Sequence, residues 1–246
     1  MGYVGYFVAS AVLRIWHATS QKSWRRLPRP ASTDSVHAPG RNADRVLLVG
    51  SGGTVGYGVL SHDLGVAGHM ARRVSQITGR GTDIDVIAGT DMSPVAARAA
   101  LASVNLARYD AVMFTFGGLE ALQLMPRGRW RGQMRSLIAF IAEAAPASLT
   151  VIVIGVAAMP SIIPMPARFA PAVVRAGKAL NEETIALAAV NPQVTFVQFL
   201  PRAGDFSSMA RGDLYNEWSA MVAPDVARAL DAHAAHLHDE VVLRPR

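Results

Sequence analysis

From residue 45 onward the sequence alternates short, uninterrupted apolar runs with segments of helical periodicity, and this alternation restricts the fold more than any other feature. Residues 45–49 (RVLLV), 83–88, 111–116 (AVMFTF), 149–154 (LTVIVI) and 194–199 are of strand length. Between and after them, residues 66–77, 94–103, 130–144, 172–189 and 214–230 have helical spacing, the first through Met70, Val74 and Ile77. Gly79 gives the first helix a stop, and Ser93-Pro94 gives the second a start. A strand that is apolar on both faces must be covered on both, and strands joined through helices run parallel. The pattern predicts a three-layer, doubly wound α/β/α domain around a five-stranded parallel sheet. Ligands in this class bind at the carboxyl ends of the strands, so the loops after the strands are where chemistry is sought.

The 246 residues, 51% hydrophobic and 17% charged, suffice for one substantial core. The absence of cysteine excludes disulfides, thiolate metal ligands and a cysteine nucleophile. Residues 1–26 read as an extension. Its first thirteen residues are uncharged and mostly apolar, and Arg14, Ile15 and Trp16 are followed by Lys22, Trp24, Arg25 and Arg26. The run falls short of the roughly 20 residues of a spanning helix. Its positive charge comes after the apolar stretch, whereas a secretory signal carries it before, so a cytoplasmic protein is expected. Two readings stay open: an anchor on an anionic membrane surface, or a helix packed on its own domain or a neighbouring subunit. Residues 27–44, with Pro28, Pro30, Pro39 and Gly40, read as a linker, residues 45–232 as the domain and 233–246 as a C-terminal tail.

The loop after the first run, Gly50-Ser51-Gly52-Gly53-Thr54-Val55-Gly56-Tyr57-Gly58, is the richest in motif content. A dinucleotide fingerprint G-x-G-x-x-G starting at Gly50 fails because its third glycine falls on Val55. The spacing G-x-x-x-G-x-G does fit Gly52, Gly56 and Gly58. The dehydrogenases that use it also need Tyr-x-x-x-Lys, and Lys22 and Lys178 follow Ala18 and Val174 instead. Residues 59–65 also separate the loop from its helix, where a nucleotide loop would run straight in.

These residues and two later blocks resemble the SGNH (GDSL) hydrolase family. There a first strand ends in Gly-Asp-Ser-x-x-x-Gly-x-Gly, a later one in Gly-x-Asn-Asp, and Asp-x-x-His precedes the closing helix. Here Gly117-Gly118-Leu119-Glu120 follows FTF, and Asp205-Phe206-Ser207-Ser208-Met209 precedes Tyr215-Asn216-Glu217-Trp218. The resemblance covers about residues 45–230 and implies a flavodoxin-like three-layer fold with descent from carboxyl-ester hydrolases. In that family a serine attacks the ester carbonyl, a histidine takes its proton, an aspartate orients the imidazole, and a serine amide, a glycine and an asparagine bind the oxyanion.

In the family's register the nucleophile slot is Gly52, the asparagine slot Leu119 and the histidine slot Met209; Asp205 stands where the orienting aspartate would be. No histidine lies between His69 and His233. Losing one oxyanion donor costs roughly two to three orders of magnitude in turnover and losing nucleophile or base costs more, so the resemblance implies a domain that binds a small or acyl-type ligand at Gly50, Gly52, Gly117, Gly118, Leu119, Glu120 and Met209 without hydrolysing it. The alternative is a divergent esterase or acyltransferase with Ser51 as nucleophile, Asp205 nearby, and His62 or His69 as base.

Three further features have a structural and a functional reading. His233, His236 and His238 could ligate zinc, but no third element offers a ligand, and a solvated helix end is the simpler account; neither metal nor cofactor is expected. Arg127, Arg129, Arg131 and Arg135 flank Trp130 at a helix start, yet no nucleic-acid-binding motif accompanies them and nucleic acid is not expected as a partner. Pro160, Pro164, Pro166 and Pro171 stiffen an apolar loop after the fourth run, as a wall for an acyl ligand or as a subunit contact.

Overall fold

The computed structural model describes residues 10–13, 15–16, 27–31, 35–162, 165–200 and 211–243, with side chains of the last segment described to residue 235. Six strands form one sheet: β1 (Ser35–Ala38), β2 (Arg41–Gly50), β3 (Arg80–Ala88), β4 (Ala111–Thr115), β5 (Thr150–Ile154) and β6 (Val194–Val197). Their order is β1-β3-β2-β4-β5-β6, with every pairing parallel except that of β1 with β3. The expected five parallel strands are therefore present as β2 to β6. The sixth, β1, lies inside residues 27–44, where composition suggested only a linker, and Val36 and Ala38 turn inward from it.

Alternate residues of each central strand serve the two cores. Val46 and Leu48 of β2 and Met113 of β4 face α1 (Val66–Thr78) and α6 (Arg211–Leu243). Leu47, Val49 and Phe114 face α2 (Pro94–Leu101), α4 (Arg127–Ala144) and α5 (Ala170–Ala188). All these strand residues are 1% exposed or less, which is why the runs carry no polar alternation. The Ser93 hydroxyl accepts a hydrogen bond from the Ala96 amide to start α2, and Gly79 closes α1 in the left-handed conformation. One helix was not anticipated: α3 (Gly118–Leu122), directly after β4. The segment expected as a tail continues α6 to Leu243.

The chain leaves β2 toward β3 on one side and returns to β4 on the other. Loops after β2 and β4 thus diverge to opposite faces and open a crevice between them.

Candidate functional site

Gly50 ends β2 where only a glycine fits: a Cβ there would stand 1.9 Å from Thr115 Oγ1 and 2.7 Å from its carbonyl oxygen. This close approach lets the Ser51 amide donate to the Thr115 carbonyl at 3.0 Å, while the Gly89 amide donates to the Gly50 carbonyl at 3.0 Å. Gly52 then begins a 3-10 turn (Gly52–Val55) at φ +59°, and a Cβ on it would meet nothing within 4 Å among the described residues. Below the turn the Thr54 and Thr115 hydroxyls hydrogen-bond to each other. Helix α6 holds the loop from the side. The buried Tyr215 hydroxyl donates to the Tyr57 carbonyl at 2.8 Å, the Ser219 hydroxyl donates to the Val66 carbonyl at 3.3 Å, and the Trp218 ring lies against Gly53.

A cavity of about 180 Å³ opens at this point, over the ends of β2, β4 and β5. Its lining includes Met70, Met113, Ile154, Trp218 and Val222 from the side of α1, α6 and the sheet, and Phe116, Leu119, Leu122, Val156 and Met159 from the loops after β4 and β5 and from α3. Its side-chain polar groups are Ser51, Thr54, Tyr57, Thr90, Thr115 and the Trp218 indole. Among the described residues no Asp, Glu, His, Lys or Arg lines it. Ser51 lines this space, and its hydroxyl makes no hydrogen bond to a described residue.

Glu120 sits behind the wall. It is 3% exposed, and its carboxylate accepts from the Gly117 amide at 3.0 Å. Burial pushes its pKa up to about 7, against the lowering effect of hydrogen bonds from its own amide and that of Gly117. Gly117, at φ +101°, has no room for a Cβ, which would fall 2.5 Å from Val156 Cγ2.

No family model matches the chain, and no curated protein matches it by sequence. Solved structures do match its shape. A lipase, Lip_vut3, from a goat rumen metagenome superposes with a TM-score of 0.60 at 14% identity, over 75% of this chain and 97% of the lipase. A family two carbohydrate esterase from Cellvibrio japonicus gives a TM-score of 0.54 at 10% identity, over 79% of this chain and 63% of the esterase. The chain has the SGNH-hydrolase fold.

Within the SGNH-hydrolase fold the structure brings together Gly50, Ser51, Gly52, Gly118 and Leu119: the first forms the hinge of the loop, and the other four line the cavity. Gly117 and Glu120 support the wall from behind. Asp205 and Met209 lie outside the described residues. Neither imidazole considered as a base for Ser51 reaches the cavity lining. His62 opens a separate 3-10 turn; His69 lies on α1 at 3.3 Å from Arg72 Nη2, its pKa lowered by burial and by Arg72 and Arg73. His233 is at the opposite end of the sheet, with Nε2 3.5 Å from Asp110 Oδ1. Arg127 and Arg131 are engaged with Glu183, tying α4 to α5. The residues that sequence reasoning missed are Met70, Met113, Ile154 and Val222, which read as ordinary core from four separate elements.

Proposed function

We infer that the domain binds an acyl-type chain and does not hydrolyse it. The observation that carries this reading is a cavity walled mostly by carbon, with Ser51 and the bare Gly52 in its lining and no carboxylate, imidazole, amine or guanidinium among the described residues that line it. A serine hydroxyl needs a base within hydrogen-bond reach to become a nucleophile. Residues 201–210 contain no histidine that could supply one.

The size of the cavity sets the ligand. A cavity of about 180 Å³ takes a short alkyl chain. Each buried methylene contributes about 0.8 kcal/mol, set against the translational and rotational freedom the ligand loses. Alkyl carboxylates and their methyl esters are expected to bind about fourfold more tightly per added methylene until the cavity is filled, and then to level off. Displacement of a fluorescent fatty acid measures this series, and an affinity flat with chain length would overturn the reading.

The second reading, a hydrolase or acyltransferase using Ser51, draws on the place of that residue in the cavity lining. Turnover of short p-nitrophenyl esters and labelling by a fluorophosphonate separate the two. The binding reading expects neither, with fatty-acid affinity unchanged in Ser51→Ala; turnover that disappears in Ser51→Ala establishes the hydrolase.

A further inference from the structure

Five residues of the cavity lining carry hydroxyls, and two of them, Thr54 and Thr115, bond to each other. The other three are Ser51, Tyr57 and Thr90. The Tyr57 hydroxyl donates to Thr90 Oγ1 at 3.2 Å, so the Thr90 proton is left for another acceptor. Neither Thr90 nor Ser51 donates its hydroxyl proton to a described residue. The lining thus holds two hydroxyl donors in want of an acceptor, one of them polarised by the bond it accepts.

A cation is held beside them by residues 27–30, part of the stretch whose composition suggested only a linker. Leu27 packs against the cluster that contains Val55, Tyr57 and Trp218. The Gly58 amide donates to the Pro28 carbonyl at 2.8 Å, and Pro30 lies so close to Gly56 that a Cβ there would stand 2.8 Å from its Cγ. Arg29 stands between these two anchors. Its guanidinium lies over the Tyr57 ring, 5.6 Å from the centroid, and forms no ion pair with a described residue. The ring is small and rigid, so this charge stands within one screening length, about 10 Å at 0.1 M salt, of the hydroxyl that the same ring carries.

We propose that the cavity takes the carboxylate form of a short fatty acid, with Arg29 as the residue that favours the anion over an ester. The Ser51 and Thr90 hydroxyls donate to the carboxylate oxygens. Arg29 does not line the cavity and acts by its charge, through the Tyr57 ring. This inference rests on the acyl-binding reading and names the head group that the reading leaves open. Two carboxylates stand on the same end of the sheet, Asp91 beside Thr90 and Glu120 behind the wall, and neither lines the cavity. Their repulsion is common to wild type and an Arg29 variant, so it cancels in the ratio of the two affinities.

The test is displacement of Nile red, a neutral dye, by hexanoate and by methyl hexanoate. Arg29→Gln is expected to weaken hexanoate about three- to fivefold at low salt, the worth of one solvent-exposed ion pair, and to leave methyl hexanoate unchanged. Arg29→Lys keeps the charge and is expected to restore most of the loss. The wild-type advantage for hexanoate falls toward one as salt rises from about 0.01 M to about 1 M. Equal weakening of both ligands would mean that Arg29 only shapes the loop, and it overturns the proposal, as does a hexanoate affinity indifferent to Arg29→Gln. In both cases displacement by both ligands leaves the acyl reading standing. Displacement by neither ligand overturns the acyl reading and this proposal with it.

Discussion

Two neighbouring glycines in the loop after β2 do different work. At Gly50 the constraint is space, since a methyl group would collide with Thr115; at Gly52 it is the positive φ, with no described residue within 4 Å of a Cβ. Gly50→Ala is therefore expected to cost about 2–3 kcal/mol through overpacking, and Gly52→Ala about 1 kcal/mol through the left-handed backbone. Urea unfolding with an unchanged m-value measures both, and equal losses contradict the distinction. Glu120 gives a pH dependence whose sign is fixed by its raised pKa. The folded state holds the proton more tightly than the unfolded state, so stability falls as pH rises from about 4.5 toward about 7 and is flat above. Glu120→Gln keeps an acceptor for the Gly117 amide and removes the buried charge. Its stability relative to wild type is expected to improve by about 2 kcal/mol between about pH 5 and pH 8, and a gap independent of pH would contradict this. The sequence placed Glu120 beside the site, but its burial depends on the fold of α3 and could not be read from residue types.

At the scale of elements, the motif Tyr215-x-x-Trp218 shows how a sequence signal can be read correctly for one purpose and reveal another. It marked the start of the closing helix, and the structure gives it a mechanical role. The Tyr215 hydroxyl satisfies the Tyr57 carbonyl, and the Trp218 ring supports Gly53. Tyr215→Phe keeps the ring and leaves that carbonyl without its donor, with an expected loss of about 1–3 kcal/mol in denaturant unfolding. Because the loop it holds forms the cavity mouth, the same variant is expected to bind a fluorescent fatty acid more weakly; unaltered affinity would show that Tyr215 does not shape the mouth. The central strands were legible because their runs are apolar on both faces. Strand β1 was not, since only Val36 and Ala38 turn inward between polar neighbours, and two residues make no period. Helix α3 spans five residues and opens on glycine, so it lacked both a periodic stretch and a side-chain cap. The cavity was legible only at its loops, because its deep walls come from residues far apart in sequence.

For the molecule as a whole, the question is whether the fold and the chemistry of ester hydrolysis are separable. The chain has the sheet, the crevice and the loop after β2, and the register of the resemblance puts Gly52, Leu119 and Met209 where nucleophile, oxyanion donor and base would stand. If those side chains are what is missing, they can be supplied. A serine at position 52 has the room among the described residues, none of which lies within 4 Å of its Cβ, and its left-handed backbone costs about 1 kcal/mol, small beside the stability of a domain. Gly52→Ser alone is expected to leave p-nitrophenyl butyrate untouched, because a hydroxyl without a base is a poor nucleophile. Gly52→Ser with Met209→His is expected to give turnover above background. Adding Leu119→Asn should raise it by roughly two to three orders of magnitude, the usual worth of one oxyanion donor. Turnover by Gly52→Ser alone at the rate of the triple variant would mean that a base already stands at the cavity mouth, and the reading of a binding domain without hydrolytic chemistry would then fail.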